Sequence, residues 1–260
     1  MKNIKKIAKL IFEAKANGTL IDSSKIKEIQ TIDDAYLLQN SAINISNLNQ
    51  HGWKVGATSA TAQKQLKVTE PITGPIFKEH TYDSPSKISV FPNHHTHVEC
   101  EFAFKFKNKL VPKKNKYKLD EIINSIDCLI PVIEVVGCRY ESGFKNMGPI
   151  KLISDFGVHI AIIKGMEIRD WKDIDLPNSK VSLFLNDKKL IEGDGSQVLG
   201  SPLNVLEWTI NHLSKYNKTI NNGDMISTGT CTGLTPIKSD DKIIADFHEL
   251  GRIELEILKN

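Results

Sequence analysis

Apolar residues recur at helical spacing at the start of the chain, at Ile4, Ile7, Ala8 and Ile11, and Gly18 ends the run. A second helix is expected from Thr31, with Asp34 three residues on as the acid of a capping box. Residues 1 to about 50 therefore read as a helical segment. After His51 the period shortens to that of strands, broken by Gly, Pro and Asn. The strand-like runs are 87–92, 97–106, 128–136, 157–165, 180–185, 188–193, 225–230, 242–248 and 252–258. Asn186-Asp187 and Leu250-Gly251 read as hairpin turns, and Ser201-Pro202 as an N-cap followed by proline at the first position of a helix over 202–213. The expected architecture is α+β: a helical segment over 1–50, then a β-rich catalytic unit over 51–260 built on a large, mixed, barrel-like sheet.

Composition narrows the function classes. With 34 Lys and Arg against 31 Asp and Glu, the net charge of +3 is spread along the chain and calls for no nucleic-acid partner. The densest basic run, Lys113, Lys114, Lys116 and Lys118, reads as a solvated loop. The four cysteines, Cys100, Cys128, Cys138 and Cys231, show no C-x-x-C spacing, and two lie in apolar runs, as expected in a reducing cytoplasm. Lys9, Glu13 and Lys15 interrupt the first helix too often for a signal peptide, and no run has transmembrane length, so no membrane partner is expected.

The candidate chemistry lies in two strands. Alternation in 97–107 puts Val98, Cys100, Phe102, Phe104 and Phe106 on one face and Glu99, Glu101, Ala103, Lys105 and Lys107 on the other. Carboxylates two residues apart on a strand sit roughly 7 Å apart at the backbone, close enough to share a cation. Glu134 is the only charge in the apolar run 129–136, where an ionised carboxylate needs either a metal or a basic partner. Three hard oxygen donors suit Mg²⁺ or Mn²⁺. His95 and His97 share the parity of Glu99 and Glu101, which leaves a mixed nitrogen and oxygen zinc site open beside the reading of exposed loop histidines.

Seven segments, in their order and spacing, carry a resemblance along the chain: 52–58 (GWKVGAT), 63–66 (QKQL), 74–77 (GPIF), 99–101 (ECE), 131–139 (PVIEVVGCR), 200–204 (GSPLN) and 223–229 (GDMISTG). In these the chain resembles the 2-keto-4-pentenoate hydratase family of the fumarylacetoacetate hydrolase superfamily, which also holds 4-oxalocrotonate decarboxylases. The resemblance implies that Glu99, Glu101 and Glu134 are ligands of one divalent metal, that Lys54 belongs to the proton-transfer machinery, and that the protein assembles into homo-oligomers. Beside a metal and partly desolvated, Lys54 is expected to have a lowered pKa. Glu79, where the family commonly has aspartate, is expected to hydrogen-bond Lys54 or water. Thr228 and Gly229 are expected to receive a substrate carboxylate at a glycine-rich turn. Arg139 is expected to bind substrate.

The implied activity is that of a carbon–oxygen lyase of aromatic-compound catabolism, hydrating a 2-hydroxy-2,4-dienoate or its 2-oxo-4-enoate tautomer through a metal-stabilised enolate. The alternatives are decarboxylation of 2-oxo-3-hexenedioate, with Arg139, Lys145 or Lys151 holding the second carboxylate, and a catalytically silent relative that binds a metal or metabolite. The chain departs from the family pattern at 148–156, where the usual asparagine position falls on about Ile153, and at Ser201, which replaces a histidine.

Overall fold

The computed structural model describes residues 3–145 and 147–259; Met1, Lys2, Asn146 and Asn260, which the expected segments 1–50 and 51–260 include, lie outside the described residues. Helices α1 (Ile4–Asn17) and α2 (Ile32–Ser46) form where the period predicts them. Gly18 takes the left-handed conformation that closes α1, and Thr31 and Asp34 form the reciprocal capping box of α2. There follow β1 (Gln50–Gly56), α3 (Ala60–Leu66), β2 (Ile72–Phe77), β3 (Thr81–Asp83), β4 (Ser86–Ser89), β5 (Thr96–Phe106), α4 (Leu119–Ser125), β6 (Ile126–Gly137), α5 (Gly148–Ser154) and β7 (His159–Lys164). The chain continues through β8 (Lys180–Leu185), β9 (Lys188–Asp194), α6 (Pro202–Lys215), β10 (Met225–Thr230), β11 (Thr235–Pro236), β12 (Lys242–Asp246) and β13 (Arg252–Leu258).

The strands form two mixed sheets. The larger runs β2-β1-β10-β5-β6-β7-β3, with β11 also on β5, and the smaller runs β4-β13-β12-β8-β9. Asn186 and Asp187, both at positive φ, make the tight turn between β8 and β9. The β12–β13 connection is longer than a two-residue turn and closes with Phe247 N–H on the Gly251 carbonyl. Ser201 caps α6 by accepting the Leu203 N–H, so the position that departs from the family pattern does helix-capping work here.

Alternation in β5 sorts its side chains as the sequence predicts. Val98, Cys100, Phe102, Phe104 and Phe106 enter the main core, which the small sheet closes with Val181, Leu183, Ile243, Ile253 and Leu255. Each large apolar side chain sealed there contributes roughly 1.5–3 kcal/mol. A second cluster joins α1, α2 and α5 to the end of β6 through Ile11, Leu38, Val136, Ile153 and Phe156. Ile153 thus serves the core beneath the helices.

Candidate metal centre

One face of the large sheet builds the site, and register does the assembly. Lys54 on β1 pairs with Ser227 on β10, which pairs with Ala103 on β5. Glu99 lies directly opposite Glu134 on β6, and Glu101 opposite Val132. Directly opposed and alternate residues share a sheet face, so Lys54, Ser227, Glu99, Glu101 and Glu134 converge. Oxygens of the three glutamates all lie within 4.8 Å of one another. The stem of Lys54 is held by Gly157, where a Cβ would stand 3.1 Å from the lysine Cδ.

The electrostatics of this cluster are poorly balanced. Lys54 Nζ lies 3.1 Å from Glu134 Oε2, and both side chains are sealed from solvent. The basic partner that Glu134 could have demanded is therefore present, but one ammonium faces three carboxylates. Burial, opposed by Lys54 and reinforced by their neighbours' charge, pushes Glu99 up to about 8. Burial and the charge of Glu134 do the same to Glu101, also to about 8, and burial raises Glu134. Burial alone would lower Lys54, but Glu134, Glu99 and Glu101 together outweigh it and hold the ammonium above its ordinary pKa. The lowered value expected from the sequence refers to a lysine beside a bound cation, whereas here the charges acting on it are those of the three carboxylates.

Polar neighbours orient the acids without satisfying them. Ser227 Oγ and the Gly229 N–H donate to Glu101 Oε2, and His159 Nδ1 lies 2.9 Å from Glu134 Oε1. Burial, then the cations Lys15, Lys54 and Arg139, hold His159 well below the ordinary histidine pKa, so its ring is neutral and Nδ1–H donates to the ionised carboxylate. Glu101 Oε1 is buried without a hydrogen-bond partner, and Glu134 Oε2 meets only the Lys54 ammonium. An unpartnered acceptor in an all-oxygen donor set fits a hard divalent cation.

Three other expected site residues, Glu79, Arg139 and Thr228, turn to other partners, and Gly229 meets the cluster in a different role. Glu79 is exposed on the turn after β2, where its carboxylate receives the backbone and side-chain N–H groups of Asn49; it makes no bond to Lys54. Arg139 is sealed and forks onto Asp155 Oδ1 at 2.8 Å and the His159 carbonyl at 2.7 Å, on the far side of His159 from the cleft. Thr228 has the opposite strand parity to Ser227, and its hydroxyl is used on the Phe102 carbonyl. The Gly229 N–H holds Glu101 rather than standing free for a substrate. His97 Nδ1 is taken by the His95 carbonyl, and neither histidine joins a ligand group among the described residues. Ser227 and His159 were not foreseen: the first is readable only from cross-strand register, the second only from the packing of β7 on β6.

A second acidic group, Asp127, Cys128 and Glu167, is already compensated by Arg169 and Lys105 at 2.8 and 2.6 Å, and burial pushes the Cys128 thiol up to about 11.

Of the three glutamates, Glu99 opens into a cleft of about 550 Å³. Lys54 and Glu99 line it with the polar residues Thr58, Ser59, Thr61, Gln65 and Thr230, while Leu66, Phe144, Met147, Leu152, Val158 and Leu234 give it apolar surface. The altered segment supplies Gly148 and Leu152 to this wall.

Two mixed sheets with a carboxylate cluster on the larger one, preceded by two helices, define a fold of the fumarylacetoacetate hydrolase type. It aligns with a Yersinia pestis CO92 protein described as of that family at a TM-score of 0.63, with 17% identity, covering 82% of this chain and 95% of the other. A nearer likeness, at a TM-score of 0.90 and 26% identity, is to 4-oxalocrotonate decarboxylase from Pseudomonas putida G7 complexed with magnesium and adipate, covering 99% of this chain and 98% of that one. By sequence, the chain is 25% identical over 232 residues to 2-keto-4-pentenoate hydratase from Paraburkholderia xenovorans LB400, covering 88% of this chain and 85% of the relative. No family model matches the chain. Direct comparison thus finds the resemblance to the hydratases and decarboxylases that the sequence segments carry.

Proposed function

We propose that this protein is a metal-dependent carbon–oxygen lyase that hydrates a small 2-hydroxy-2,4-dienoate or its 2-oxo-4-enoate tautomer. The observation that carries this reading is the convergence of Glu99, Glu101, Glu134 and Lys54, of which Lys54 and Glu99 line a partly apolar cleft. Glu99, Glu101 and Glu134 would hold Mg²⁺ or Mn²⁺. Once bound, the ion supplies Lewis-acid charge against the negative charge that develops on the 2-oxygen of the acid. Lys54, protonated and buried, is placed to hold or deliver a proton beside that oxygen. A proton delivered to C5 of the dienol gives the enone, and water then adds across C3 and C4, its hydroxyl to C4 and its proton to C3. His159 and Ser227 act as positioning residues on Glu134 and Glu101.

Among the described residues the cleft lining holds no basic side chain besides Lys54, which favours hydration of a monoacid over decarboxylation of a diacid, whose distal carboxylate needs a cation. Arg139 is committed to Asp155, and neither Lys145 nor Lys151 lines the cleft among the described residues. The nearness in fold to a 4-oxalocrotonate decarboxylase makes that reaction the alternative to be tested. Purified protein with Mg²⁺ or Mn²⁺ is incubated with 2-hydroxypenta-2,4-dienoate and, separately, 2-oxo-3-hexenedioate. Loss of diene absorbance without CO₂ is expected; CO₂ from the diacid would assign the decarboxylase, and no turnover of either compound would assign a silent binder.

A further inference from the structure

On the far side of His159 from the metal centre lies a second cavity, of about 380 Å³, whose polar lining comprises two basic side chains, Lys15 from α1 and Arg139 after β6, two histidines, His80 and His94, from two turns, and the hydroxyls of Tyr82 and Ser89. Lys15 and Arg139 are 8% and 1% exposed. Lys15 Nζ donates to the His159 carbonyl at 2.8 Å, and among the described residues no carboxylate forms an ion pair with it. Arg139 spends its two terminal nitrogens on Asp155 and His159, which leaves Nε buried and without a partner; His80 Nδ1 is in the same condition. Among the described residues the one carboxylate in contact with this pair is Asp155, on Arg139, and the charge of the pair is felt at His80 and His94. Burial and then Arg139 hold Lys15 well below its ordinary pKa. Burial and then Lys15 draw His80 down to about 3, and burial and then Arg139 draw His94 down to about 4.

Buried unpaired cations are costly unless a counter-ion completes them. The lining contributes no acid, and Phe12, Leu48, Ile88 and Phe91 give it apolar surface. We infer that this cavity binds a short-chain organic carboxylate, whose oxygens accept from Lys15 Nζ beside the charge of the Arg139 guanidinium while its hydrocarbon part lies against Phe12, Ile88 and Phe91. Both cations approach the main chain of His159, whose ring holds Glu134, so the ligand would sit one residue from the metal centre without entering it. The inference stands apart from the lyase reading.

The test uses the full-length protein in EDTA, so that no metal recruits carboxylates to the cleft, with butyrate as the probe and inorganic phosphate and chloride at matched ionic strength. Isothermal titration and broadening of the butyrate resonances should show saturable binding to the wild type that chloride does not reproduce. Lys15→Met should weaken it at least 10-fold. Ala16→Phe, at an exposed position on the cavity rim, should block it with both cations retained, which guards against a folding defect in the first variant. Absent butyrate binding, binding unchanged in both variants, or phosphate bound in preference to butyrate would each overturn the assignment.

Discussion

Raising the pH of the metal-free protein from 5 to 8 forces protons off a buried cluster that resists losing them. Glu99 and Glu101 are both pushed up to about 8, whereas in the unfolded chain they titrate near the ordinary glutamate value. A carboxylate whose folded pKa is raised binds more protons folded than unfolded across that window. The stability this confers is complete below the unfolded pKa and is lost as pH climbs toward the folded one. Each retained proton is worth about 1.4 kcal/mol per pH unit, so one such group removes on the order of 3 kcal/mol between pH 5 and pH 7. A divalent ion requires the same carboxylates ionised and binds more tightly as pH rises, adding about 4 kcal/mol at 1,000 times its dissociation constant. Urea unfolding followed by tryptophan fluorescence at pH 5, 6, 7 and 8, in EDTA and in saturating Mn²⁺, should give two diverging curves: falling in EDTA, flat or rising with the ion. Histidines elsewhere contribute to both curves and cancel in their difference. Parallel curves would refute the reasoning, because the cluster would then be neither strained by its charge nor relieved by a cation.

Four further outcomes are expected. Glu101→Gln keeps an acceptor for Ser227 and Gly229 but removes a ligand charge, and should weaken Mn²⁺ binding by titration roughly 100-fold or more and abolish metal-dependent turnover. Asp155→Ala strands Arg139 in the core and should cost about 3–5 kcal/mol in urea unfolding. Gly52→Ala should lower the midpoint by more than about 2 kcal/mol, since Gly52 has φ 137° and a Cβ there would meet the Met225 carbonyl oxygen at 1.8 Å, prising β1 and its Lys54 from β10. Leu152→Lys places a cation on the cleft wall and should shift the kcat/KM ratio toward a dicarboxylate substrate; an unchanged ratio would remove that wall from the account of specificity.

Much of the fold was legible because its determinants are local. The cap at Thr31, the turn at Asn186-Asp187, the stop at Gly18 and the alternation of β5 each depend on residues within one turn or strand. β1 and β2 were harder, since Gly52, Gly74 and Pro75 weaken their patterns and the strands exist only as partners of β10 and of each other. The glutamates were legible for two different reasons: Glu99 and Glu101 through parity, and Glu134 as a lone charge in an apolar run. The geometry of Glu79, Arg139, Thr228 and Gly229 turned on where loops and strand faces point after packing, which spacing does not encode. Asp155 illustrates the point: it draws Arg139 away from the cleft from 16 residues downstream.

The Lys54–Glu134 contact also bears on how the proposed ion would be taken up. Small zinc domains wait for metal before they fold, because nothing else neutralises their ligands. Under the proposed reading, one lysine and the protons retained by neighbouring acids would serve here as an internal placeholder, so that folding would not wait for the ion. Loading then becomes an exchange governed by the concentration and identity of the surrounding divalent ions. A chelator would silence such a protein without unfolding it, and returning the ion would restore it.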